Sequence, residues 1–86
     1  MPEISRFYGI VIRVYYGDHA PPHFHAQYAG KSVKIAIDSL AVIAGDLPAR
    51  ALGLVIEWAS LHQAELREAF QRAANMERPD RIDPLP

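Results

Sequence analysis

Residues 7–37 read FYGIVIRVYYGDHAPPHFHAQYAGKSVKIAI, and the reading of this stretch decides the fold. From Phe7 to Tyr16 the chain is rich in β-branched and aromatic residues. Ile10, Ile12 and Val14 share one parity, and Gly9, Val11 and Arg13 the other, which predicts a strand. Gly17 to Pro22 (GDHAPP) is turn chemistry, after which HFHAQY, from His23 to Tyr28, is expected to return antiparallel to the first strand. Ala29, Gly30 and Lys31 form the next turn. Val33, Ile35 and Ile37 then alternate with Ser32, Lys34 and Ala36, the period-two pattern of a strand with one buried face. A short fourth strand is expected over roughly Leu40 to Ala44.

The remainder of the chain reads as helix. Asp46 is a suitable N-cap, and Pro48 is tolerated in the first turn, where its missing N–H would have no partner. The pattern runs to about Ala74, roughly 28 residues or ~42 Å, long enough that a bend or a frayed end is expected. At 100° per residue, Leu52, Val55, Ile56, Ala59, His62, Leu66, Phe70 and Ala73 form one stripe, assigned to the sheet. Leu54, Trp58 and Leu61 form a second. That second stripe is either part of a wide buried face or an interface, most simply with another copy of the chain, since Trp is enriched at interface hot spots. The expected fold is α+β, an antiparallel meander of three to four strands with one long C-terminal helix packed on one face. The domain is placed at residues 1–75, followed by a Pro-rich tail at 76–86.

At 86 residues the chain holds one domain, and its size leaves limited stability in reserve, so a homodimer is a plausible remedy. A formal charge of −1 means that nucleic-acid binding must rest on a local patch. With no cysteine, disulfides, thiolate zinc sites and cysteine nucleophiles are excluded. Neither a GxGxxG nor a Walker loop is present, which disfavours nucleotide cofactors. No secretory leader and no apolar run near the ~20 residues of a membrane span is read, so no membrane partner is expected and the cytoplasm is the default compartment.

The chemistry is concentrated in the histidines, three of the four lying between His19 and His25. His23 and His25 are two apart on a strand and project from the same face, with Gln27. If Phe24 and Tyr28 face the helix, the opposite face collects Arg13, Tyr15, His23, His25, Gln27 and Lys34, suited to contact nucleic acid or a protein. The reverse register would turn His23 and His25 toward His62 in the helix. Three uses of the imidazoles follow from the residue types. A divalent metal would take His23 and His25 with His19 or Asp18 as third ligand, and this is the only cofactor foreseen. A metal-independent ribonuclease would use the two imidazoles as acid and base beside Arg13 or Lys34. Hydrogen bonds across the sheet or to Asp18 would merely fix the loop.

PEISRFYGIVIRVYYGDHAPPHFHAQYAG, followed by LPARALGLVIEWASLHQAEL, resembles the small prokaryotic proteins of the domain of unknown function 4160 family over about residues 2 to 70. The most specific element is DHAPPHFHA, from Asp18 to Ala26, supported by PEISRF and by Glu57, Trp58 and His62. No activity is established for that family, so the resemblance supplies no catalytic residue. It implies a stand-alone bacterial domain, often encoded beside another small protein in arrangements that look like toxin–antitoxin or regulatory pairs. The function expected is therefore a small binding module in such a pair, contacting nucleic acid or a protein partner through the face of Arg13, Tyr15, His19, His23, His25 and Lys34. The metal protein or ribonuclease is the alternative.

Overall fold

Two tight turns set the register of the sheet. In the computed structural model, which describes residues 2–86, Tyr8 and Gly9 both have positive φ (52° and 79°), as do Ala29 and Gly30 (50° and 79°). These are two-residue hairpin turns of the kind whose twist matches that of the flanking strands. The first joins β1 (Glu3–Phe7) to β2 (Ile10–Arg13), and the second joins β3 (His23–Tyr28) to β4 (Lys31–Ala36). With β5 (Val42–Gly45), the sheet is a five-stranded antiparallel meander in the order β1-β2-β3-β4-β5.

The α+β meander is as expected, but the expected strand over Phe7–Tyr16 is in fact broken at Tyr8–Gly9. Asn, Asp or Gly usually precedes the Gly of such a turn, and Tyr8 disguised it as β sequence. The strand before the turn, EISRF, was consequently missed, and the meander has five strands instead of three or four.

The single long helix is also two: α1 (Ala49–Leu61) and α2 (Gln63–Ala74). His62 interrupts them with φ −131°, and its Nδ1–H donates to Glu65 Oε1 at 2.6 Å in the first turn of α2. The expected Asp46 cap is not formed, because α1 starts after Pro48 and has no side-chain cap. Gln63 Nε2 donates to the Ile37 carbonyl at 2.8 Å, and Arg67 meets Asp38 at 2.6 Å, so the start of α2 is tied to the β4–β5 turn.

The core lies between one face of the sheet and the two helices. Ile10, Ile12, Phe24, Ala26, Val33 and Ile35 meet Val55, Trp58, Ala59, Leu66 and Phe70. Trp58 is 0% exposed, with its ring centroid 5.3 Å from Phe7 and 6.0 Å from Phe24, and its Nε1–H donates to the Asp83 carbonyl at 2.8 Å. Trp58 therefore belongs to the core and not to a surface stripe with Leu54 and Leu61. Leu54 is half-buried and Leu61 is 65% exposed.

The C-terminal segment explains the difference. Residues 77–86 form no helix or strand, and they fold back along β1 and cover the Trp58 side of α1. Ile82 N–H donates to the Ile4 carbonyl at 2.7 Å, Arg81 pairs with Glu3 at 3.1 Å, Tyr8 donates its hydroxyl proton to the Pro86 carbonyl at 2.6 Å, and Ile82 and Leu85 are buried. The tail thus occupies the β1 edge of the sheet, whereas the β5 edge exposes Val42 and Ile43. No helix is long and apolar enough to cross a membrane among the described residues.

Two outcomes follow from this packing. Trp58→Ala is expected to lower the unfolding free energy in urea by about 3–5 kcal/mol, since a buried indole leaves a cavity and an unpaired carbonyl, whereas Leu61→Ala changes it by less than about 0.5 kcal/mol. Hydrogen bonds from Arg6 and then Arg81 lower the Glu3 carboxyl from 4.5 to about 2. The tail clamp is therefore complete above pH 4.5 and is lost as the pH falls toward about 2. Protection of the Ile82 amide from hydrogen exchange should follow that titration in the native chain and lose the dependence in Glu3→Gln.

Candidate metal centre

Strand parity and one loop build the site. Phe24 and Ala26 are drawn into the core, so their neighbours His23 and His25 must project to the other side of β3. The chain between β2 and β3 folds back over the end of the sheet and is tied at both ends. Gly17 N–H donates to the Ala73 carbonyl in the last turn of α2 at 2.9 Å, and Ile37 N–H donates to the Pro22 carbonyl at 3.0 Å. This course sets the Asp18 carboxylate on the two imidazoles. Its Oδ2 lies 2.8 Å from His23 Nε2 and 3.6 Å from His25 Nε2, and the three ligand atoms lie within 4.8 Å of one another.

The rings are oriented by what holds their other edges. His23 Nδ1–H donates to the Pro21 carbonyl at 2.7 Å, which leaves the lone pair of the neutral ring on Nε2. Phe70 covers that ring at 5.4 Å, and His25 meets it edge-on at 5.1 Å. Tyr15 packs on His25 at 4.2 Å. Asp18 is held in turn by the His19 backbone N–H, which donates to Oδ1 at 3.0 Å. The contacts to Asp18 Oδ2 lack the alignment of hydrogen bonds, so the buried Nε2 atoms of His23 and His25 are both without a hydrogen-bond partner. His23 is 3% exposed, His25 16% and Asp18 25%, while both Nε2 atoms are themselves buried.

Electrostatics favour the metal-binding protonation states. Burial first, and His23 second, push the His25 imidazole below its ordinary value of 6.5, with Asp18 opposing and Lys34 adding to the shift. Burial alone would raise the Asp18 carboxyl, but the His19 backbone N–H and then His23 outweigh it and hold it below 3.8. A neutral imidazole and an ionised carboxylate are what a metal needs. Tetrahedral ligand bonds of 2.0–2.2 Å place ligand atoms about 3.3–3.6 Å apart; the 3.6 Å from Asp18 to His25 matches this, and the 2.8 Å from Asp18 to His23 is shorter.

Of the residues singled out in the sequence, His23 and His25 come together with Asp18, and His19 does not join them: its side chain is exposed and it contributes only its backbone N–H. Arg13 and Lys34 flank His25 in register on β2 and β4, and Arg13 Nε donates to Gln27 Oε1 at 3.0 Å. His62 lies against Trp58 at 5.4 Å and pairs with Glu65, outside the group. The Pro21 carbonyl and Phe70 were not foreseen. A polar backbone atom carries no sequence signal, and Phe70 reads simply as helix core.

Fold and site together define a small α+β meander protein with an aspartate–two-histidine centre where the sheet ends against its second helix. The chain belongs to the family described as Domain of unknown function (DUF4160), whose model matches residues 9–71. The match includes the whole centre and stops short of β1 and the tail, the two segments that pack on each other. Comparison with curated proteins and with solved structures gives no match.

The depressed His25 value has a direct consequence for the metal-free protein. As the pH falls below about 6.5, the unfolded chain takes up a proton at His25 before the folded chain does, so stability present above that pH declines. Urea unfolding followed across this range should show the decline, and His25→Gln should flatten it.

Proposed function

We propose that this protein is a metal-binding module that takes one divalent first-row ion on Asp18 Oδ2, His23 Nε2 and His25 Nε2. The observation that carries the reading is the pair of buried imidazole nitrogens without hydrogen-bond partners, facing one carboxylate. An ion bound between them would give both nitrogens the well-aligned partner that the Asp18 carboxylate, at 2.8 and 3.6 Å, does not. The imidazole–carboxylate set suits Zn²⁺, Fe²⁺, Ni²⁺ or Cu²⁺ better than Mg²⁺ or Ca²⁺, which prefer all-oxygen sites.

The bond from His23 Nδ1–H to the Pro21 carbonyl is the orienting contact that metal-ligating histidines usually make through their second nitrogen. The same arrangement weighs against the ribonuclease reading. An acid–base imidazole must reach its substrate, and His23 is covered by Phe70 with one nitrogen committed to the backbone. Three protein ligands leave at least one coordination position open, the pattern of sites that engage a further ligand.

Titration of chelator-stripped protein with Co²⁺, read by its visible spectrum and by calorimetry, should give one equivalent bound. Asp18→Asn, His23→Ala and His25→Ala should each weaken binding by at least about 100-fold, whereas His19→Ala leaves it unchanged, since that side chain lies outside the group. Stoichiometric binding retained when Asp18 and His25 are replaced together would exclude the site.

A further inference from the structure

We infer that the cavity beside α1 binds a short apolar peptide with free termini, its carboxylate on Arg50 and its ammonium on Glu57. The cavity measures about 440 Å³ and opens between the β1–β2 turn, the end of β3, the first half of α1 and the end of the tail. That volume lies within the roughly 300–1,000 Å³ of sites that take small organic molecules. Ile10, Ala51 and Leu85, all buried, and the half-buried Leu54 give it an apolar interior. It shares no residue with the metal centre and stands apart from that reading.

The two charged residues of the lining select the ligand. Arg50 and Glu57 are seven positions apart on α1, which places them on one side of the helix, about 20° apart in projection and ~10.5 Å apart along the axis. They do not pair with each other, and neither side chain makes a hydrogen bond or ion pair among the described residues; the Ser60 hydroxyl donates only to the Glu57 backbone carbonyl. A simple carboxylate would be drawn to Arg50 and repelled by Glu57, and a simple amine the reverse. A molecule with an anion at one end and a cation at the other satisfies both.

Length and lining narrow the class. Two or three residues of extended peptide span at most roughly 7–11 Å, which matches the offset of the two charges, and free termini carry those charges at neutral pH. Leu54 follows Arg50 by four positions and precedes Glu57 by three, so the apolar contact falls midway between the charges. Two tyrosines complete the lining. The Tyr8 hydroxyl is committed to the Pro86 carbonyl at 2.6 Å, which fixes one wall before any ligand arrives. The Tyr28 hydroxyl makes no hydrogen bond among the described residues and is left to meet a peptide group.

The test is an NMR titration of the ¹⁵N-labelled full chain with the tripeptide Leu-Ala-Leu. Shifts should centre on Tyr28, Ala51, Leu54 and Leu85 and leave His25 unmoved. Amidating the carboxyl end of the peptide should weaken binding about 3- to 10-fold, and acetylating its amino end should do the same, as expected for partly exposed charge pairs. Arg50→Ala should lose as much as amidation costs and then be indifferent to it, and Glu57→Ala should stand in the same relation to acetylation. Both positions are exposed, so both variants should fold and keep their Co²⁺ affinity, which separates failure here from failure of the metal reading. Absence of shifts at the cavity, or a peptide blocked at both ends that binds as tightly as the free one, overturns the inference. A loss confined to amidation also overturns it, by assigning the cavity to a simple carboxylate.

Discussion

The burial of Trp58 is the constraint on which the rest of the structure depends. One indole joins β1 through Phe7, β3 through Phe24 and the C-terminal segment through the Asp83 carbonyl, while its backbone belongs to α1. A sheet and two short helices offer little apolar surface at this chain length, and an aromatic of this size supplies a large share of it. Covering it requires more than the sheet. The tail completes the enclosure with Ile82 and Leu85, and Glu3, Arg81 and the Ile4–Ile82 hydrogen bond hold the tail in place. The same segment satisfies part of the β1 edge that would otherwise stay open to pairing. β1 and the tail both lie outside residues 9–71, the span that the family model matches.

The centre is built by a similar economy. Burial of Phe24 and Ala26 turns His23 and His25 outward, and α2 then serves two purposes. Phe70 closes the inner side of the His23 ring, and the Ala73 carbonyl anchors Gly17, which starts the loop bearing Asp18. The helix break at His62 is part of this arrangement. It frees α2 to run against the β4–β5 turn through Gln63 and Arg67, close to the end of β3. A straight helix of the full length would continue the line of α1.

Much of this was legible in the chain itself. The alternation of Val33 and Ile35 with Ser32 and Lys34 identified the buried face of β4, and that of Phe24 with His23 and His25 separated the two sides of β3 without deciding which is buried, because parity is imposed by the backbone whatever packs on it. Two elements misled. Tyr8 takes a left-handed turn position that β-rich sequence conceals, and the apolar periodicity continues through His62 even though the hydrogen-bonded helix does not. Trp58 was ambiguous for another reason. Helical projection gives its angle around the axis, but the width of the buried face depends on a tail residue, Asp83, 25 positions away in a segment that contains no helix or strand.

The sequence by itself determined an antiparallel meander with a one-sided core and a His-x-His pair sharing one side of its strand, with the choice of side left open, since these follow from repeats of two and 3.6 residues that every local stretch carries. Only the tertiary structure decided that Asp18, and not His19, completes the group, and that Trp58 lies inside. Both depend on contacts between residues remote in the chain: Gly17 with Ala73, Pro22 with Ile37, and Trp58 with Asp83. Periodicity specifies which way a side chain points. Which atom arrives within 3 Å of an imidazole is set by where distant segments are tied, and no local pattern contains that information.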